Sequence, residues 1–124
     1  MDQIEAYFLD TYALIEIIKE NPNYKKFRET TNFTSLMNLL EIHYIISREF
    51  GEMKAHEITS KFNKISLVIN IKDIEEASKM RIKYSSKKLS YIDCLGYAMA
   101  VNRNIKFLTG DKEFQSMENV EFVK

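Results

Sequence analysis

The chain has 124 residues and 45% apolar residues, a composition typical of one compact soluble domain that can bury a core. Its 18 lysines and arginines balance 18 aspartates and glutamates, so the formal net charge is zero. A global basic field for nucleic acid is therefore excluded, although a local one is not. Three glycines and one proline exclude a collagenous or low-complexity chain.

The cellular compartment is indicated by cysteine usage and by the absence of long apolar segments. Cys94 is the only cysteine, which excludes an internal disulfide and a structural zinc site built from several cysteines. The start Met1-Asp2-Gln3 is acidic and lacks the apolar segment of a signal peptide. No apolar stretch approaches the roughly 20 residues that a membrane span needs. We therefore expect a cytosolic protein in a reducing compartment, with no membrane association.

The first half of the chain predicts one strand and three helices. The predicted elements are a strand over 4–9, a helix over 12–20, a polar break at Pro22, a helix of about four turns capped by Thr34 and ended by Gly51, and a shorter helix over 53–63. In the long helix the apolar spacing is formed by Leu36, Leu39, Leu40, Tyr44 and Ile45. Such helix stripes, like that of Leu14, Ile17 and Ile18, are most simply core, and alternatively form a partner surface.

The second half alternates strands with helices. The predicted elements are a strand over 65–69, a helix over 73–85, a helix from Ser90 to about Asn102, strands over 105–108 and 120–123, and a helical turn over 112–116 between them. This alternation predicts an α/β fold. We expect a central parallel sheet of about four to five short strands with helices on both faces, forming one domain over 1–124.

Acidic residues fall where such a sheet binds ligands, beyond the carboxyl ends of its strands. Asp10 directly follows the first strand, and Asp111 comes shortly after the strand over 105–108. Asp93 lies in the first turn of the helix that Ser90 begins, and Glu41 lies among apolar residues of the long helix. If the strands are parallel and central, these carboxylates can converge at one edge of the sheet.

Each acid also has a purely structural interpretation. Asp10 and Asp111 are suited to capping the helical segments that follow them, and Ser90-x-x-Asp93 resembles a capping box. Glu41 fits a partly exposed helix acid paired with a lysine. Four converging carboxylates would nevertheless repel one another and destabilise the fold, so the combination makes physical sense mainly around a bound cation.

The donor types indicate which cation and which chemistry. Carboxylates without a histidine and cysteine set suit a hard ion such as Mg²⁺ or Mn²⁺, which can activate water for phosphodiester hydrolysis. The sequence lacks the glycine-rich phosphate loop, the dinucleotide fingerprint and the nucleophile elbow. A phosphoacceptor receiver-like domain is weakened, because Asn70 follows the strand where such a domain expects an aspartate.

A run of ten residues before the helix of Asp93 contains five cations and no acid. Its members are Lys79, Arg81, Lys83, Lys87 and Lys88, interleaved with Tyr84. A smaller cluster combines Lys25, Lys26 and Arg28 with Tyr24 and Phe27. We interpret these clusters as strips that guide RNA phosphates to the acids, with aromatic rings available for stacking. A solvated face is the alternative.

Four segments together resemble the PIN-domain ribonucleases, and the size and order resemble the VapC-type toxins of toxin–antitoxin pairs. The segments are Tyr7-Phe8-Leu9-Asp10-Thr11, Glu41 in a helix, Ser90-Tyr91-Ile92-Asp93 with Ala98 and Ala100 downstream, and Phe107-Leu108-Thr109-Gly110-Asp111-Lys112-Glu113-Phe114. The resemblance extends from residue 5 to the final strand. Cys94 and Gly96 depart from it, since small aliphatic residues are more usual in that part of the helix.

The resemblance implies an endoribonuclease that depends on Mg²⁺ or Mn²⁺. Asp10 and Asp93 would hold the metal most directly, while Glu41 and Asp111 would act through ordered waters or a second ion. Thr11 and Thr109 match small hydroxyl positions that orient the cluster. The implied partners are an RNA substrate, a small antitoxin protein and a second copy in a homodimer. The alternative is a catalytically silent PIN-like module that binds RNA or a protein.

Overall fold

The computed structural model describes residues 5–124, and its centre is a five-stranded sheet in which every neighbouring pair of strands is parallel. The strands are β1 (Ala6–Leu9), β2 (Thr31–Ser35), β3 (Ser66–Leu67), β4 (Lys106–Thr109) and β5 (Val120–Phe122), in the spatial order β3-β2-β1-β4-β5. The predicted parallel α/β sheet is confirmed. Residue 4 of the predicted first strand, and the start Met1-Asp2-Gln3, lie outside the described residues.

Helices cover both faces of the sheet, as predicted. They are α1 (Thr11–Ile18), α2 (Leu36–Phe50), α3 (Glu52–Asn63), α4 (Ile71–Lys83) and α5 (Tyr91–Asn102), with short 3₁₀ helices at Pro22–Arg28 and Lys112–Phe114. Core residues from α1, α2 and α3 pack on one face, and core residues from α4 and α5 pack on the other. In residues 5–124 no helix is long and apolar enough to cross a membrane.

The central strands alternate their side chains between the two cores. Tyr7 packs with the α1–α3 layer and Phe8 with the α4–α5 layer, where its ring stacks on Phe107 at a centroid distance of 5.9 Å. A Cβ on Gly96 would lie 2.8 Å from Cε1 of Phe8. The glycine at this position therefore lets α5 approach the aromatic rings of the sheet, which explains one departure from the family pattern. Cys94, the other departure, is a buried core residue.

Strand β2 is absent from the sequence prediction, which made Thr34 the N-cap of the long helix. That assignment is wrong, because Thr34 is a fully buried strand residue whose hydroxyl donates to the Leu9 carbonyl oxygen at 2.8 Å. Ser35 caps the helix instead, and its hydroxyl accepts from the Asn38 N–H at 3.3 Å. The segment Thr31–Ser35 contains one large apolar residue, Phe33, so it lacks the alternation that marks a half-buried strand.

The predicted core stripe of α2 is also partly wrong. Leu36, Leu40 and Tyr44 are 58%, 59% and 61% exposed, and the buried side chains of this helix are Asn38, Leu39, Ile42 and Ile46. Helix α2 has apolar residues on both sides, so two different stripes fit the helical period. The alternative interpretation as a partner surface remains open for the exposed side, whereas Leu14 and Leu39 are core residues as predicted.

Element boundaries differ where local capping decides them. The polar break at Pro22 forms a 3₁₀ helix, and the predicted strand over 65–69 is reduced to two residues. Helix α4 begins at Ile71, two residues early, because Asn70 and Asp73 form a capping box. Asp73 is fully buried, and its carboxylate accepts from Arg103 at 2.8 Å just beyond the end of α5. This ion pair joins the start of α4 to the end of α5.

Candidate functional site

Asp10 lies at the carboxyl edge of the sheet, directly after β1. Its backbone N–H donates to the Leu108 carbonyl oxygen of β4 at 3.3 Å, which continues the pairing of the two strands. Its Oδ1 accepts from the Ala13 N–H at 2.8 Å, so Asp10 caps α1 as its structural interpretation expects. The carboxylate is also 96% buried, since only 4% of the residue is exposed. A cap at a helix start is ordinarily solvated, so burial adds a feature that capping does not require.

Asp111 follows β4 and lies at the same edge. Its Oδ1 accepts from the Glu113 N–H at 3.0 Å and caps the 3₁₀ helix Lys112–Phe114. Its own N–H donates to the hydroxyl of the fully buried Thr109 at 3.0 Å. Thr109 thus fixes the backbone of Asp111, which agrees with the orienting role that the resemblance implies.

Gly110, between these two residues, is required by the close approach of two neighbours. A Cβ there would lie 2.5 Å from the Val123 carbonyl oxygen and in steric overlap with the Tyr12 ring. Gly110→Ala should therefore destabilise the fold by about 1–3 kcal/mol, because a backbone oxygen cannot move aside as a side chain can. Urea denaturation of the variant tests this. Ser116→Ala, at an exposed position of the next loop, is the control, and equal stability of the two variants would contradict the expectation.

Asp93 lies in the first turn of α5, and the predicted capping box is present. The Asp93 N–H donates to the Ser90 hydroxyl at 3.0 Å, and Oδ2 of Asp93 accepts from the Ser90 N–H at 2.9 Å. These bonds engage one carboxylate oxygen and leave Oδ1 for another partner. Capping and metal binding by Asp93 are therefore compatible.

Glu41 is half-buried in α2 and is held by a chain of polar side chains. Its Oε1 accepts from the Thr11 hydroxyl at 2.5 Å, and this hydroxyl accepts from Nδ2 of Asn38 at 3.2 Å. The Ser35 hydroxyl donates to Oδ1 of Asn38 at 2.6 Å. Glu41 is a partly exposed helix acid, as its structural interpretation expects, but within the part of the chain that the structure describes it forms no ion pair with a lysine, so that part of the interpretation is wrong.

The sequence analysis did not identify Ser35 and Asn38 as members of this hydrogen-bonded series of side chains. The signal was a spacing of three residues between Ser35, Asn38 and Glu41, which places polar side chains on one face of the helix start. Asn38 is only 2% exposed, and a buried amide keeps its place only when its hydrogen bonds are made. This series of hydrogen bonds therefore fixes the orientation of the Thr11 and Glu41 side chains.

The four carboxylates act on one another electrostatically. Burial, with the charges of Asp93 and Asp111, raises the pKa of Asp10 to about 7, against the hydrogen bonds from Thr109 and Ala13. Burial also raises the pKa of Asp93, and the charges of Asp111 and Glu41 add to this rise. The hydrogen bonds with Ser90 act in the opposite direction and lower the pKa of Asp93. Asp93 and Asp111 act on Asp10, and Asp111 and Glu41 act on Asp93, so the four predicted acids lie in one region of the structure.

The cluster fits a divalent cation in its charge and in its donor type. All four side chains offer carboxylate oxygens, the donors that Mg²⁺ and Mn²⁺ prefer. Each has one oxygen held by a hydrogen bond from the chain itself, to Ala13, Thr11, Ser90 or Glu113. Within residues 5–124 no three acidic, histidine or cysteine side chains form a ready-made metal-binding group. Binding of an ion would therefore require a change in the side-chain positions of these acids.

The cations predicted to bind RNA do not all lie on one surface. Lys79 and Lys83 line a groove beside Tyr84, whereas the Arg81 guanidinium lies over the Tyr91 ring in a different groove. Lys87 is turned toward the site, since its Nζ donates to the Glu113 carbonyl oxygen at 3.0 Å.

Lys88 is anchored beside Lys87, and the smaller basic cluster lacks exposed rings. The Lys88 N–H donates to Oε1 of Glu113 at 3.2 Å, so its exposed side chain lies next to the loop that follows Asp111. Tyr24 and Phe27 are fully buried, so the expectation that they stack on bases is wrong. Their spacing along a 3₁₀ helix aims both rings at the core.

The matches to known proteins agree with this arrangement of strands and helices. A model of the PIN domain matches residues 7–120. A chain of a toxin–antitoxin complex from Klebsiella pneumoniae is similar with a TM-score of 0.74 and 22% identity, over 93% of this chain and 95% of that one. Curated protein sequences gave no significant match.

Two further solved structures have the same fold. A DNA-bound VapBC from Salmonella typhimurium gives a TM-score of 0.77 at 16% identity, over 96% of this chain and 97% of that one. A VapC toxin of Mycobacterium tuberculosis, described as cleaving the sarcin-ricin loop, gives 0.75 at 16% identity, over 94% and 96%. The structural neighbours are thus toxins of VapBC systems. Since the family model covers nearly all of the described residues, the chain belongs to the PIN-domain family.

Proposed function

We propose that this protein is a metal-dependent endoribonuclease that hydrolyses RNA phosphodiester bonds at the edge formed by Asp10, Glu41, Asp93 and Asp111. The observation that supports it best is the electrostatic coupling of these carboxylates around the buried Asp10. Such a concentration of negative charge destabilises a fold unless a cation neutralises it. VapC-type PIN domains are typically ribonucleases, and one structural neighbour is described as an RNA-loop-cleaving toxin.

The proposed roles follow from the position of each acid. Asp10 and Asp93 would hold Mg²⁺ or Mn²⁺ directly, and Glu41 and Asp111 would act through ordered waters or a second ion. When bound, the ion would supply an activated water and stabilise charge on a phosphoryl oxygen. Hydrogen bonds from backbone N–H groups restrain one oxygen each of Asp10, Asp93 and Asp111.

Two hydroxyls orient the remaining oxygens of the cluster. Thr11 presents its hydroxyl to Glu41, and Thr109 hydrogen bonds to Asp10 while accepting from the Asp111 N–H. Fixed orientation matters because reacting groups held in place avoid the entropic cost of finding their geometry during the reaction. Thr11 and Thr109 are therefore proposed as positioning residues rather than metal ligands.

Cleavage of a mixed RNA pool tests the proposal. We expect cleavage with Mg²⁺ or Mn²⁺ and none with a chelator. Asp10→Asn and Asp93→Asn should each lower the rate by at least about a hundredfold, because the loss of several kcal/mol of charge stabilisation corresponds to that factor. Glu75→Gln, which changes an exposed acid of α4, is the matched control.

Cleavage that survives both site substitutions would contradict the proposal. RNA binding without cleavage by the metal-loaded wild type would favour the alternative, a silent RNA-binding module.

We also propose a protein partner for the exposed apolar side of α2 and the start of α3. Leu36, Leu40, Tyr44, Phe50 and Met53 are each more than half exposed. Exposed apolar patches of this kind mark interaction surfaces. The neighbours crystallised as toxin–antitoxin complexes suggest a small antitoxin, and a second copy is the homodimer alternative. Light scattering of the chain alone tests the homodimer, because a homodimer has twice the 14.7 kDa mass of one chain. If the mass is doubled, Leu40→Lys should restore the mass of the monomer.

A further inference from the structure

An aromatic ring and a guanidinium lie together at the start of α5, outside the acidic cluster. Tyr91 is the first residue of α5, and 76% of its surface is exposed. The guanidinium carbon of Arg81, from the last turn of α4, lies 4.2 Å from the centroid of the Tyr91 ring. Asp93 lies two residues later in the same first turn of α5, and its side chain projects from a different side of the helix.

The pair closes one end of a groove of about 660 Å³ between α4 and α5. The groove is lined by Ile74, Ala77, Arg81, Ile82, Tyr91 and Leu95, among others. Helix α4 ends and helix α5 begins at the end where Arg81 and Tyr91 lie. That end of the groove therefore lies at the end of α5 that carries Asp93 in its first turn. The volume of the groove is within the range of small-ligand sites and is large enough for a single nucleobase.

We propose that an unpaired base of the RNA substrate stacks on Tyr91, with the Arg81 guanidinium contacting the adjoining phosphate, and this rests on the proposed ribonuclease function. Single-stranded RNA is recognised by stacking of its bases on aromatic rings and on guanidinium planes. The Tyr91 side chain is exposed to solvent. Within residues 5–124, Arg81 forms no ion pair that would occupy its hydrogen-bond donors.

The position of the pair gives it a role that the lysines cannot have. A lysine meets a phosphate as a point charge and holds the strand without fixing the position of a base. A base stacked on Tyr91, in the same helical turn as Asp93, fixes one nucleotide relative to the acids and so selects which bond reaches them. Tyr91 and Arg81 are positioning residues in this scheme, and an unpaired base near the cleaved bond is the substrate feature that they recognise.

The chain contains a matched control for this pair. Tyr44 on α2 is 61% exposed, and the Arg48 guanidinium lies 5.4 Å from its ring centroid. It has the same chemistry as the proposed pair. It lies on α2, in the exposed apolar patch that we assign to a protein partner. Tyr44→Ala therefore removes an equivalent exposed ring without touching the groove.

Fluorescence anisotropy with a labelled single-stranded RNA, on the full chain in chelator, measures binding without cleavage. Tyr91→Ala should weaken binding about 5- to 150-fold, the range that stacking of one base corresponds to. Tyr91→Phe keeps an aromatic ring at position 91, and Tyr44→Ala leaves Tyr91 unchanged. The RNA affinity of both variants should therefore stay within about twofold of wild type. Arg81→Gln should make the negative slope of log affinity against log salt shallower by about 0.7, as loss of one phosphate contact requires.

The outcomes separate this inference from the proposed function. Equal RNA affinity of Tyr91→Ala and Tyr44→Ala overturns the stacking site, and so does a Tyr91→Phe variant as weak as Tyr91→Ala. The absence of RNA binding by the wild type overturns it as well. Asp10→Asn tests the proposed function separately. Cleavage that survives this substitution contradicts the proposed function, even if RNA binding still depends on Tyr91.

Discussion

Asp10→Asn should make the metal-free protein more stable at neutral pH, although it removes the proposed activity. In the wild type, burial and neighbouring carboxylates raise the pKa of Asp10 to about 7, so its ionised form destabilises the fold. A neutral asparagine still accepts from the Ala13 N–H and carries no charge. The rise of about three pKa units corresponds to at most about 4 kcal/mol, at about 1.4 kcal/mol per unit.

The effect of Asp10→Asn should depend on pH in a defined way. Asp10 binds its proton more tightly in the folded than in the unfolded state, so the wild type loses stability as pH rises from about 4 through about 7. The stability difference between variant and wild type is therefore small near pH 4, grows up to about pH 7 and stays constant above it. Urea denaturation in chelator at pH 4.5 and pH 8 measures it, and a variant less stable than wild type at pH 8 contradicts the account.

Asp73→Asn should have the opposite effect on stability. Asp73 is as buried as Asp10, but hydrogen bonds from Arg103, Asn102 and the Asn70 N–H outweigh the effect of burial and lower its pKa to about 2. Removing its charge leaves the Arg103 guanidinium, which is 23% exposed, without its partner. We expect a loss of about 2–4 kcal/mol, below the full cost of breaking a completely buried pair.

The pH dependence of the Asp73 contribution is also reversed. Its folded-state pKa lies below the unfolded value, so the stabilisation is fully present above about pH 4 and is lost as pH falls through about 2. Urea denaturation at pH 7 measures the loss, with the exposed Glu75→Gln on the same helix as control. An Asp73→Asn variant as stable as the control would show that the pair with Arg103 contributes nothing.

These two buried aspartates show why burial alone does not identify a functional acid. Asp73 has an arginine and two amide donors, which is the ordinary way to hold a buried charge. Asp10 has two acidic neighbours, Asp93 and Asp111, and within residues 5–124 no cationic side chain forms an ion pair with it. An arrangement that weakens the fold persists at sites that bind or react.

The edge of the sheet could be predicted from the sequence because local signals define it. Asp10 and Asp111 each follow a short apolar strand, and Ser90 and Asp93 form a capping box that is readable from their spacing. These signals involve neighbours in the chain. The capping of all three segments is present in the structure, so the structural interpretation of these acids is confirmed, and their functional interpretation stays a prediction.

The orientation of α2 could not be predicted, because it depends on a contact between distant parts of the chain. Strand β2 pairs with β1, and the hydroxyl of Thr34 bonds to Leu9, 25 residues away. Without that strand, either apolar side of α2 could face the core. The Asn38 side chain, which bonds to Thr11 across 27 residues, was missed for the same reason. Hydrophobic periodicity describes the helix but not the polar partner that its buried amide finds.

Calorimetric titration of Mn²⁺ into the metal-free protein is the most direct test of the central claim, that the four acids form one metal site. We expect saturable Mn²⁺ binding by the wild type and by Glu75→Gln. Binding should be weakened at least about tenfold in Asp10→Asn and Asp93→Asn, because each removes a direct ligand. The same Mn²⁺ affinity in wild type, Asp10→Asn and Asp93→Asn would contradict the account.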